Sequence, residues 1–78
     1  MTEEAYKKLQ SLIAIGEELN FYYKNDEYWI SYGRDGESYL ARSRDHYTQE
    51  FSNYEELFEK ATIEGIKISE IYPKITWG

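Results

Sequence analysis

Cysteine is absent, histidine and proline occur once each, and no apolar run is longer than Leu12-Ile13-Ala14-Ile15. Each shortage removes a class of chemistry. Without cysteine there is no disulfide framework, thiolate metal site or cysteine nucleophile. A lone His46 excludes a multi-histidine metal site within one chain. A membrane span needs about 20 apolar residues and a secretory leader core about 7–15, and neither is present. The start, Met1-Thr2-Glu3-Glu4, is acidic where such a leader is basic. These features predict a cytoplasmic protein that does not enter a membrane. Positive charge is also short: 9 Lys and Arg face 15 Asp and Glu, for a net charge of -6. That leaves no cationic excess to displace counterions from phosphate backbones, so no direct nucleic-acid partner is expected.

What remains is aromatic. Of the 78 residues, 41% are hydrophobic and 18% are Phe, Trp or Tyr, too many for a disordered chain despite a mean hydropathy of -0.80. With no repeat, linker or low-complexity stretch, residues 1–78 read as one small α+β domain.

Residues 3–15 carry Ala5, Tyr6, Leu9, Leu12 and Ile13 at helical spacing, with Thr2 as N-cap and Gly16 as the stop. Two aromatic runs, 19–24 and 27–32, flank Asn25-Asp26, which predicts a hairpin turning on that pair. In that register Leu19 faces Tyr32, Phe21 faces Ile30 and Tyr23 faces Tyr28 on one side. Asn20/Ser31, Tyr22/Trp29 and Lys24/Glu27 lie on the other. Residues 37–43 form a third strand after Gly33-Arg34-Asp35-Gly36. A two- or four-residue loop turns Tyr39 and Ala41 to the core; a three-residue loop with Gly36 left-handed turns Leu40 there instead. The second is preferred because Leu is the better core residue, and it puts Tyr39 beside Tyr22 and Trp29. Residues 46–51 add a short fourth strand.

Ser52-Asn53-Tyr54-Glu55 reads as a capping box opening a helix to Ala61, with Thr62-Ile63-Glu64-Gly65 as its end. Ile68, Ile71, Tyr72 and Ile75 keep helical spacing, but Pro73 disfavours helix at Tyr72. A short helical turn and an extended tail follow. The expected architecture is two-layer: an antiparallel three- to four-stranded sheet with both helices on one face, in the order α-β-β-β-(β)-α plus a C-terminal helical turn. A helix on each side of the sheet is the competing layout.

Residues 51–65 and Ile68-Ser69-Glu70-Ile71-Tyr72, with the Leu19-Asn20-Phe21-Tyr22-Tyr23-Lys24 strand, resemble a group of small uncharacterised proteins of Gram-positive bacteria and their phages. Those chains combine a helix, an aromatic hairpin, an F-x-S-x-E-E-L helix and an I-x-G-x-x-I-x-E-I turn. The resemblance implies the fold and a bacterial or phage setting, and no activity or functional residue.

His46 beside Asp45 has no nucleophile or second acid at a recognisable spacing, so it reads as an exposed turn residue. No catalytic residue, cofactor or metal ligand is expected, and the chain reads as a non-enzyme. Two surfaces remain. Tyr22, Trp29 and Tyr39 form an exposed aromatic cluster if both helices lie on the other face. Glu55, Glu56 and Glu59 belong to a stretch, residues 45–64, with six acids against Lys60. The expected function is a protein-interaction module using the aromatic sheet face or the acidic helix, as a monomer or as a homodimer joined through a strand edge. The second reading is a phage or mobile-element inhibitor whose carboxylates occupy the nucleic-acid groove of a host protein.

Overall fold

Thr2, extended at the N-cap, starts the first helix by accepting the Ala5 N–H at Oγ1 (3.0 Å). Helix α1 then runs Glu3–Ala14 and buries Tyr6, Leu9 and Ile13 along one stripe. The structure, a computed structural model, describes residues 1–77. After α1 come four strands, β1 (Leu19–Tyr23), β2 (Asp26–Tyr32), β3 (Ser38–Arg42) and β4 (Tyr47–Phe51), paired antiparallel in chain order. Helix α2 (Tyr54–Lys60) leads into a two-stranded ribbon, β5 (Thr62–Ile63) and β6 (Ile66–Lys67), and then α3 (Ile68–Ile71) and a 3-10 turn at Tyr72–Lys74. The fold is α+β.

Alternation decides which sheet face meets the helices. Phe21, Tyr23, Tyr28, Ile30 and Leu40 share one side and are buried together with Leu9 and Ile13 of α1, Leu57 and Phe58 of α2, and Ile68 and Ile71 of α3. All three helices therefore cover the same face. Tyr6 stacks in parallel on Tyr72 at 4.2 Å and meets Phe58 edge-on at 5.9 Å, locking α1 to both later helical segments.

The β2–β3 connection follows the three-residue reading. Gly33 N–H donates to Glu37 O (2.9 Å), and Gly36 takes φ +88°, a region open to glycine at little cost. Leu40 consequently lies opposite Ile30 in the core.

Three local expectations change. The first hairpin turns on Lys24-Asn25, with Lys24 at φ 55°, so Leu19 faces Ile30 and Phe21 faces Tyr28. Helix α2 is capped by Asn53, whose Oδ1 accepts the Glu56 N–H (2.8 Å), while Glu56 accepts the Ser52 N–H (2.9 Å). The capping box thus sits one residue later than Ser52/Glu55. Finally, Thr62 to Lys67 form the β5–β6 ribbon rather than a simple helix stop. Gln49 holds that ribbon to the sheet: its amide donates to Thr62 O (2.7 Å) and accepts the Thr62 N–H (3.1 Å).

The tail closes one margin of the sheet. Tyr22 and Thr76 exchange backbone hydrogen bonds of 2.9 and 2.8 Å along the free side of β1. The Met1 ammonium donates to the carbonyls of Tyr72 (3.0 Å), Pro73 (3.3 Å) and Ile75. Gly78, the end of the expected tail, lies outside the described residues.

Candidate functional site: the uncovered sheet face

The face turned away from the helices is built from Asn20 and Tyr22 of β1, Glu27, Trp29 and Ser31 of β2, Tyr39 and Ala41 of β3, and Thr48 and Glu50 of β4. Tyr22 is 47% exposed and Trp29 42%; Tyr39 is half-buried. The register sets them in three rows. Tyr22 lies opposite Glu27, Trp29 between Asn20 and Ala41, and Tyr39 between Ser31 and Glu50. The rings step diagonally across three strands. Tyr22 and Trp29 are thus diagonal neighbours, not the directly opposed pair the Asn25-Asp26 turn predicts. Diagonal neighbours are separated by about 7–8 Å, so the three rings mark a line about 15 Å long. Directly beside Trp29 in its own row stand the small side chains Asn20 and Ala41, and the ring stays exposed.

One end of the line is held by Glu27. Its carboxylate accepts from Asn20 Nδ2 (2.9 Å), Ser43 Oγ (3.0 Å) and the Tyr22 hydroxyl (3.3 Å). Asn20, and after it Ser43, keep this carboxyl below the usual glutamate range. At the other end, desolvation first, and then the negative charge of Glu37, Glu50 and Asp35, raise the Tyr39 hydroxyl above its ordinary value. Of these carboxylates, Glu50 is the one that the register sets directly opposite Tyr39. Glu27 and Glu50 are the charged members of the surface. Alternation already puts Glu27 on this face, but only the observed pairing sets it against Tyr22, and Glu50 against Tyr39.

The expected α2 surface divides. Glu55 and Glu59 are exposed, whereas Glu56 binds the Ser52 N–H and lies 3.6 Å from Lys60 Nζ. The Ser52 N–H is the main cause of its lowered pKa. Glu56 thus caps its own helix. His46 occupies the exposed β3–β4 loop at φ 61°. Its neighbour Asp45 is held by Arg42 Nε (2.9 Å) and Nη2 (2.7 Å), which drops the Asp45 carboxyl to about 2.

Among the described residues, no group of three or more His, Cys, Asp or Glu is arranged to hold a metal ion. Among the same residues, no helix is long and apolar enough to cross a membrane. A cleft of about 320 Å³ between Asn20, Tyr22, Thr76 and Trp77 opens at the β1 end of the aromatic line. Comparison with known proteins gives no match: no protein family, no curated protein and no solved structure corresponds to this chain.

Proposed function

We propose that the chain is a non-enzymatic protein-interaction module that docks a partner on the uncovered sheet face through Tyr22, Trp29 and Tyr39. The observation that carries this reading is the diagonal of rings left in solvent while every helix lies on the opposite side. Aromatic side chains supply large contact area at small entropic cost, and well-placed Tyr and Trp dominate interface energetics. The Glu27 network adds preorganisation, since Tyr22 is oriented before any partner arrives.

The test compares variants against the same captured partner. Tyr22→Ala combined with Trp29→Ala is expected to retain the far-UV spectrum and most of the thermal stability while losing the partner. Retention of the partner by this variant would remove the reading. The acidic-helix reading draws on Glu55 and Glu59, both exposed. Charge reversal there, Glu55→Lys with Glu59→Lys, is expected to leave the complex intact. If the complex dissolves, the contact belongs to α2 and the groove-occupying inhibitor becomes the better account.

A further inference from the structure

Nine strand positions face outward on the uncovered sheet, and none is Lys or Arg. Two, Glu27 and Glu50, are carboxylates standing in direct cross-strand opposition to Tyr22 and Tyr39. Glu37 and Asp35 add negative charge beside Tyr39. The Glu27 carboxylate is consumed by Asn20, Ser43 and Tyr22, but Glu50 is exposed and makes no ion pair among the described residues. Three nearby cations are engaged elsewhere, Lys24 with Glu64 at 3.3 Å, Arg44 with Asp26 at 3.1 Å, and Arg42 with Asp45, whereas the exposed Arg34 shares the β2–β3 loop with Asp35 and offsets the charge there rather than at Glu50. The face thus combines electron-rich rings with one carboxylate, Glu50, that has no cation partner among the described residues.

We infer that the occupant of this face is a cationic extended segment of a partner protein, with Arg or Lys side chains laid over Trp29 and Tyr39 and paired with Glu50. The inference rests on the docking reading above and names the chemistry of its partner. A guanidinium or ammonium within about 6 Å of a ring face is attracted by the ring quadrupole, and Trp is the best acceptor. A neighbouring carboxylate adds a charge-assisted hydrogen bond. An extended strand advances about 3.3 Å per residue, so about five residues span the ring line, with every second side chain facing the sheet. A second copy of this chain is a poor occupant of the same face, because it would set Glu50 and Glu37 against their own counterparts in a molecule of net charge -6. Single-stranded nucleic acid offers bases to stack but brings phosphates to a carboxylate-lined surface.

The test uses a synthetic peptide, Arg-Thr-Arg-Thr-Arg, titrated against the full chain and followed by Trp fluorescence and calorimetry. An otherwise identical peptide with citrulline for arginine keeps the shape and removes the charge. The arginine peptide is expected to bind about tenfold more tightly than the citrulline peptide, and to weaken as salt rises. Trp29→Leu and Glu50→Gln are each expected to weaken it several-fold, while the remote Glu59→Gln leaves it unchanged. Equal binding of both peptides, lost in Trp29→Leu, overturns the cationic partner but keeps the aromatic docking face. Arginine-peptide binding that ignores Trp29→Leu and Glu50→Gln overturns the placement on this face. No binding of either peptide overturns the inference, as does tighter binding of a single-stranded oligonucleotide; in both cases the captured-partner comparison still decides the docking reading separately.

Discussion

Tyr6 is only 7% exposed, and its hydroxyl has no hydrogen-bond partner among the described residues. The ring is held by stacking on Tyr72 and by the edge of Phe58, so packing and polarity pull in opposite directions at one side chain. Tyr6→Phe keeps both ring contacts and removes a buried group that costs about 1–3 kcal/mol when unpaired. The variant is expected to be as stable as the parent or more so, read as the midpoint of urea unfolding. A second residue-scale prediction concerns the cap of α2. Asn53→Ala is expected to cost about 1 kcal/mol, since Asn53 accepts the Glu56 N–H. Ser52→Ala is expected to be nearly silent, because Ser52 contributes a backbone N–H rather than its hydroxyl. Both Ser52 and Asn53 are good caps followed three residues later by Glu, so the spacing alone offers two frames. Register against the core picks one: the Asn53 start lets α2 bury Leu57 and Phe58.

Elements were legible where a period carried them. The stripe Tyr6, Leu9, Ile13 marks α1, and strand alternation gives the correct inner and outer faces for β1 and β2 even though the turn is displaced by one residue. Moving a two-residue turn by one position shifts every cross-strand partner by two, and a shift of two preserves the faces. What the sequence did not disclose is which residue adopts positive φ. Asp26, favoured for the turn by its side chain, instead pairs with Arg44, and Lys24 with Glu64. Both contacts come from distant segments. The β5–β6 ribbon was missed although Ile63-Glu64-Gly65-Ile66 carries a hairpin signal. Glu64 and Gly65 take φ 54° and 80°, the pattern of a type I′ turn that glycine at the second position favours. Two-residue strands have no period to read, and the ribbon depends on Gln49. Gln49→Ala is expected to leave the Thr62 N–H and carbonyl without partners, at a cost of about 1–3 kcal/mol. Hydrogen exchange should quicken at Thr62 and Ile63 before it does in β2.

For the molecule as a whole, acid is the informative stress. Asp45 is held at about 2 by Arg42, Glu27 is lowered by Asn20 and Ser43, and Glu56 by the Ser52 N–H. Each folded carboxyl binds its proton less readily than the unfolded one, so the unfolded state takes up more protons as pH falls. Their stabilisation is complete above the ordinary carboxyl values of 4.5 for Glu and 3.8 for Asp, and is lost as pH falls below them, for Asp45 on descending through about 2. Urea midpoints measured from pH 6 to pH 2 should decline below about pH 4.5, and Asp45→Asn should flatten the lowest part of that decline. At this scale the two-layer architecture was readable because two amphipathic helices and one strongly apolar sheet face bury most when both helices share that face, in preference to one on each side. The site was readable only in outline: the rings follow from alternation, but their diagonal order and carboxylate neighbours depend on pairing that loop chemistry alone left open.

The bond pair between Tyr22 and Thr76 has a further bearing on assembly. It blocks lateral addition along β1, whereas β4 offers its outward backbone groups to no other segment among the described residues. A ribbon with a single receptive margin can recruit one neighbour and then has nothing left to offer a third. Growth by strand addition would stop at two chains, sparing this tyrosine-rich protein the open-ended polymerisation that a sheet with two bare flanks invites.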